Sequence, residues 1–233
     1  MNMPKTPMII ALLIILACCR AASQSPENII TTDIPHFWQA YDLITSTQDS
    51  VLQYKYLDSL YLDKATPGLT AIREARNYTP QDYIRVINEY PEFWASIRVN
   101  TLKADLFSTQ LEAGIEKLRA IYPDLKPAKI YFTIGALRTN GTTLDSLVLI
   151  GSELAMSDSN TVSSEFPEEW RENRRKFFGS NPITDLVLLN VHEYVHTQQK
   201  PALDNLLSYV IREGVAEFVS SKAMDVASAV PAI

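Results

Sequence analysis

The sequence predicts an α+β domain, rich in helix with a small sheet. Three observations predict it: apolar residues recur at helical spacing from Ile34 to about Leu118, two extended runs lie between Lys129 and Ile150, and two helical segments follow near the end of the chain. With 233 residues, 46% apolar and 21% charged, the chain has enough bulk for one real core, and a single domain with a helical N-terminal part is the default.

The first element is a leader. Lys5 gives a positive start, Met8 to Ala17 is an apolar run of ten, and Cys18 and Cys19 follow directly. The run is too short to span a bilayer as a mature helix. A cysteine placed after such a run resembles a bacterial lipoprotein signal, which implies removal of the leader and lipidation of Cys18 (or Cys19); an ordinary cleaved signal peptide is the alternative, and either places the folded body outside the cytoplasm. Residues 1–19 are therefore expected as signal peptide. The polar, weakly patterned Arg20 to Asp33 is expected as a tether, and residues 34–233 as the folded domain. These are the only cysteines, so the body holds neither a disulfide framework nor thiolate metal ligands.

In the helical part, Phe37, Trp38, Tyr41 and Ile44 form one stripe and Leu111, Ile115 and Leu118 another, while Thr79-Pro80 supplies a cap followed by proline at the first helical position. These aromatics read as core. Lys129 to Leu137 and Thr142 to Ile150 are rich in β-branched and aromatic residues and flank Asn140-Gly141, so a β-hairpin turning at that dipeptide is expected. A polar loop, Met156 to Ser164, leads to a charged helix whose basic stretch Arg171 to Lys176 reads as a solvated face. Asn181-Pro182 is expected to open a helix ending at Lys200, before Pro201, and a last helix runs from near Asp204 to about Ala223. The final residues, Val226 to Ile233, read as an interrupted domain.

Net charge of -6 and a pI near 5.1 argue against a nucleic-acid partner, because a basic face is needed to replace counterions.

The chemistry lies in His192-Glu193-Tyr194-Val195-His196. Histidines at i and i+4 share one helical face and can reach one cation, while the intervening glutamate projects toward water bound there. Sixteen residues separate His196 from Glu213, enough for a short connection and a helix that returns Glu213 as a third ligand. Glycine inside a helix costs about 1 kcal/mol relative to alanine, so Gly214 predicts close approach of the two helices. Glu217, one turn on, is placed to accept the free N–H of a ligating histidine. Imidazole and carboxylate suit one Zn²⁺ with an open fourth position. His36 reads as a packed or surface residue. Metal-free helical scaffolding is the bland alternative.

An HExxH helix followed by glutamate resembles the gluzincin metallopeptidases. That resemblance implies a zincin-like fold, His192, His196 and Glu213 as zinc ligands, Glu193 as general base and catalytic residue, Glu217 as a supporting carboxylate, and peptides or proteins as substrate. Downstream of Glu213 there is no Tyr or His, the residues that supply an oxyanion donor in that group. More widely, Pro91 to Leu102, Tyr122 to Ile150 and Arg212 to Phe218 resemble the GldB-related gliding-motility lipoproteins and allied predicted zinc-dependent proteases. This implies attachment to a membrane of the cell envelope through the lipid. It also keeps open a non-enzymatic role in a secretion or gliding apparatus, with a structural or vestigial metal site.

Overall fold

The computed structural model describes residues 27–227, so the leader, Cys18, Cys19 and the last six residues lie outside the described part. Ten α-helices and four short strands are found there, in an α+β arrangement. No described helix is long and apolar enough to cross a membrane.

Five helices build the N-terminal part: α1 (Asp33–Thr45), α2 (Ser50–Leu60), α3 (Pro67–Arg76), α4 (Pro80–Glu89) and α5 (Pro91–Thr101). Their starts are chemically marked. Asp49 accepts the N–H groups of Val51 and Leu52, Thr66 accepts that of Leu69, and Thr79 with Asp82 closes a reciprocal capping box. Phe37, Trp38, Tyr61, Tyr83, Phe93 and Trp94 are almost wholly buried among these helices, with Phe37 and Trp94 centroids 5.0 Å apart. The indoles are not left unpaired, since Trp38 donates to Thr101 Oγ1 at 3.0 Å and Trp94 to the Val86 carbonyl at 2.9 Å. The expected aromatic stripe is core.

The segment expected as tether joins the fold earlier. Ile29–Ile30 form β1, parallel to Ile130 and Tyr131, and Asp33 is buried, accepting the Thr66 N–H at 3.1 Å. A pair of β-branched residues next to an open strand gains ladder bonds that a solvated tether cannot offer, so of residues 20–33 the stretch from Ile29 onward belongs to the domain.

The sheet also differs from expectation. β2 (Lys129–Thr133) and β4 (Leu147–Gly151) are neighbours but run parallel, and the hairpin is made by β3 (Gly141–Leu144) with β4, in the strand order β1-β2-β4-β3. The turn is Asp145-Ser146, with Asp145 in the left-handed region at φ 51°, and not Asn140-Gly141. The cause lies in the 134–140 loop. Glu153, fully buried in α7 (Ser152–Ala155), accepts the Gly135 and Leu137 N–H groups at 2.9 and 3.1 Å, which holds the chain away from a tight turn. Ile130 to Thr133 and Val148 to Gly151 are buried, as parallel strands covered on both faces must be. β3 is left at the sheet edge.

After the sheet, α8 (Glu168–Gly179) presents its charges to solvent, as with the 2.8 Å Arg175–Glu172 pair. Arg174 is the exception, reaching inward to the Leu137 carbonyl at 2.7 Å. Asn181 is left-handed and caps nothing; its Oδ1 accepts the Ser159 N–H, and a tight turn at Pro182–Asp185 precedes α9 (Leu186–His196). α9 ends at His196 and not at Lys200, where Thr197 turns its hydroxyl back to the Tyr194 carbonyl. α10 (Leu206–Met224), capped by Asn205, and α6 (Ser108–Ile121) pack against α9.

Gly68 shows how tightly α3 sits on the sheet, for a Cβ there would lie 2.1 Å from Tyr131 Cγ. Gly68→Ala is expected to lower stability by about 1–3 kcal/mol through overpacking, read as a lower urea midpoint with unchanged slope.

Candidate metal centre

α9 is fixed before its histidines are considered. Val191 and Tyr194 are buried in the core, the Tyr194 hydroxyl accepts the Ala128 N–H at 2.8 Å, and the Gln198 amide bonds both backbone groups of Lys126. These contacts tie the C-terminal end of the helix to the start of β2. α6 comes close because Gly114 has no side chain; a Cβ there would meet Val187 and Val191 at 3.0 and 3.1 Å. Gly214 does not serve this purpose, since a Cβ on it would meet nothing within 4 Å. Its side of α10 faces open space.

The expected ligands converge. His192 Nε2 and His196 Nε2 are 3.1 Å apart, and Glu213 Oε2 lies 3.4 and 3.2 Å from them. A tetrahedral site with ligand bonds of about 2.0–2.1 Å spaces its ligand atoms about 3.3 Å apart, so the three form one face of such a tetrahedron. Among the described residues this is the group of His and carboxylate side chains able to hold a metal ion, and His36 is not in it.

Neighbours set the ring states. Gln199 Nε2 donates to the Arg212 carbonyl at 2.9 Å, which turns Gln199 Oε1 toward His196 Nδ1 at 2.7 Å. Oε1 can only accept, so Nδ1 carries the proton and Nε2 keeps its lone pair for a cation. Glu217 Oε2 faces His192 Nδ1 at 3.6 Å, the place expected for a supporting carboxylate. Burial first, then the nearby His196, lowers the His192 pKa and favours its neutral form.

Glu193 stands on the other side of this triangle and points at the edge strand. A Cβ on Gly141 would fall 2.8 Å from its Oε1, so the carboxyl occupies space that only a glycine leaves free on β3. Burial, then repulsion from Glu213, raises its pKa to about 7, while Arg76 and Arg212 pull it back. A carboxylate poised near neutrality suits proton transfer.

Sequence reasoning missed Gln199, Arg212, Tyr209, Arg76 and Gly141. All but Gln199 line a cleft of about 330 Å³ with Thr142, Thr143, Glu193, His196 and Glu213. Gln199 had a signal, three residues after His196; Arg76 and Gly141 had none, because only the fold carries them to the motif. A second, apolar face opens beside His192 and Glu213, lined by Tyr209, Val210 and Phe218.

Comparison with protein-family models, with curated proteins and with solved structures finds no match to this chain.

One equivalent of a divalent transition metal is expected per chain by metal analysis. His192→Ala or His196→Ala should abolish tight binding, because two remaining ligands hold the ion poorly. Gln199→Ala should keep the ligands but weaken affinity about 10–100-fold, the usual cost of losing the group that orients a ligating ring. Equal affinity in that variant would remove Gln199 from the site.

Proposed function

We propose that this protein is a zinc-dependent peptidase of the gluzincin kind, with a zincin-like arrangement of edge strand and metal-bearing helices. The carrying observation is the 3.1, 3.2 and 3.4 Å triangle of His192, His196 and Glu213 with the adjacent Glu193 carboxyl lying against Gly141 of the edge strand β3. A zinc ion bound by those three side chains supplies a Lewis acid that polarises a carbonyl and brings the pKa of water to about 7.

The chain's own residues supply the rest. The unpaired side of β3 aligns an extended peptide by strand addition, drawing its backbone along the cleft. Glu193, buried and raised toward neutrality, takes the proton of the attacking water and returns it to the leaving amine. Tyr209 and Arg212 stand at the cleft wall, where a donor to the developing oxyanion is needed. The leader ending at Cys18 (or Cys19) supports lipid attachment, with this body held at a membrane of the bacterial cell envelope.

A second reading, a non-enzymatic lipoprotein of a secretion or gliding apparatus, draws on the outer side of α10. Leu206, Leu207, Val210, Ile211 and Phe218 are all more than half exposed there, a surface suited to another protein.

Glu193→Gln separates the two. It preserves size and leaves all three ligands, so zinc content should stay at one per chain while peptide cleavage falls about 10²–10⁴-fold. A zinc-loaded wild type that cleaves no member of a broad peptide library, with a cellular role indifferent to Glu193→Gln, would leave the lipoprotein reading in place.

Gly141→Ala tests the same alignment from the strand. Its methyl group would push on Glu193 Oε1, so the expected result is a lowered cleavage rate with metal affinity unchanged. Wild-type cleavage in this variant would show that the carboxyl need not meet the strand there.

A further inference from the structure

Two arginines, Arg76 and Arg212, face this cleft; both act on the Glu193 carboxyl, but neither meets it at ion-pair distance. Arg76 ends α3, is half-buried, and its Nε is buried with no hydrogen-bond partner; neither its guanidinium nor that of Arg212 forms an ion pair among the described residues. Arg212 Nε lies 3.3 Å from His196 Nδ1. That nitrogen must carry its proton toward Gln199 when Nε2 holds a metal, so it cannot also accept from Arg212, and the guanidinium is left with its donors unspent. Two other arginines of this region are used, since Arg138 bonds Asp82 and the carbonyls of Arg76 and Asn77 and Arg85 pairs with Glu89; Arg73 on α3 shares the partnerless Nε but does not line the cleft.

Two guanidiniums that make no close ion pair stand in one cleft beside Glu193 and Glu213, so each keeps donors for an added anion. Guanidinium pairs with carboxylate in a two-pronged geometry, and partial burial strengthens the bond by reducing competition from water. Position along the strand narrows the choice. Arg76 lines only the part of the cleft at Gly141, whereas Arg212 also lines the part that continues past Leu144 to Ser146. Antiparallel pairing is the more stable ladder, and a peptide laid antiparallel to β3 has its C-terminal side at Gly141. Its carboxylate then meets Arg76.

Resting on the peptidase reading of the same site, we infer that Arg76, seconded by Arg212, is a specificity-determining clamp for peptides carrying a carboxylate on the C-terminal side of the bond to be cleaved. Two groups offer that chemistry: the free C-terminal carboxylate of a peptide, or an Asp or Glu side chain in the leaving portion.

The test measures binding as well as cleavage. The full chain is loaded with zinc and carries Glu193→Gln so that ligand survives, and calorimetry compares three N-acetylated tripeptides of one sequence. One ends in a free carboxylate, one in an amide, and one in an amide with Glu as its last residue. The expected result is at least tenfold tighter binding of one or both carboxylate peptides than of the plain amide, and which of them binds identifies the source. Arg76→Ala should erase the difference and Arg76→Lys restore part of it, with zinc stoichiometry at one in each; Arg212→Ala should reduce it. In a chain with Glu193 intact, Arg76→Ala should raise KM for the preferred peptide at least tenfold more than for the amide, whereas its effect through Glu193 appears in the kcat of both.

Equal binding of all three peptides, or no binding by any, overturns the clamp, as does a preference that survives both arginine variants. Cleavage of amides and acids alike sinks the clamp and leaves the peptidase reading intact. Discrimination in binding without any cleavage sinks the peptidase reading and leaves the clamp.

Discussion

Three atoms bearing lone pairs stand within 3.4 Å of one another at His192, His196 and Glu213, and such atoms repel unless a cation or a shared proton lies among them. The surrounding structure is arranged to keep them there. Tyr194 and Gln198 fix α9 to the strand entrance, and Gln199 spans from a histidine ring to the backbone of α10. Gly114 lets α6 press against the far side of α9. Each of these sets an angle or a distance on which the convergence depends.

The edge strand reaches the site by an equally constrained path. Glu153 is buried under the loop that leads to β3, and burial raises its pKa while bonds from Gly135 and Leu137 oppose that rise. Arg174 from α8 and the Tyr61 hydroxyl from the helical part grip the same loop at Leu137 and Ile134. The large aromatic core of α1 to α5 thereby does more than stabilise the domain. It positions, through Tyr61 and α3, the two pieces of backbone that carry Gly141 and Arg76 to Glu193.

Electrostatics in the cleft are divided. On one side burial and then Glu213 hold the Glu193 proton more tightly, and on the other Arg76 and Arg212 favour its release. The balance leaves the carboxyl near neutrality, where a proton can be taken and returned at small cost in either direction. The apolar outer side of α10 lies next to this charged cleft, so surfaces of opposite character flank the triangle of His192, His196 and Glu213.

The sequence by itself determined what obeys short-range rules. Helical spacing revealed the aromatic core, the Thr79-Pro80 cap and the limits of α10, and the four-residue interval of His192 and His196 set both rings on one face. Glu213 and Glu217 were legible because they too lie on a regular helix. Only the tertiary structure decided the rest. Lys129 to Ile150 appeared as a simple hairpin, since strand propensity does not say which strand is a neighbour, and a buried glutamate eighteen residues downstream of Gly135 redirected the chain. Gly214 looked like a contact and Gly114 did not, because a glycine's use depends on what stands opposite it. Arg76 lies more than a hundred residues before the motif, and no local pattern marks it. Its place at the cleft follows from the seating of α3 on the sheet, a long-range packing relation that a linear sequence does not display.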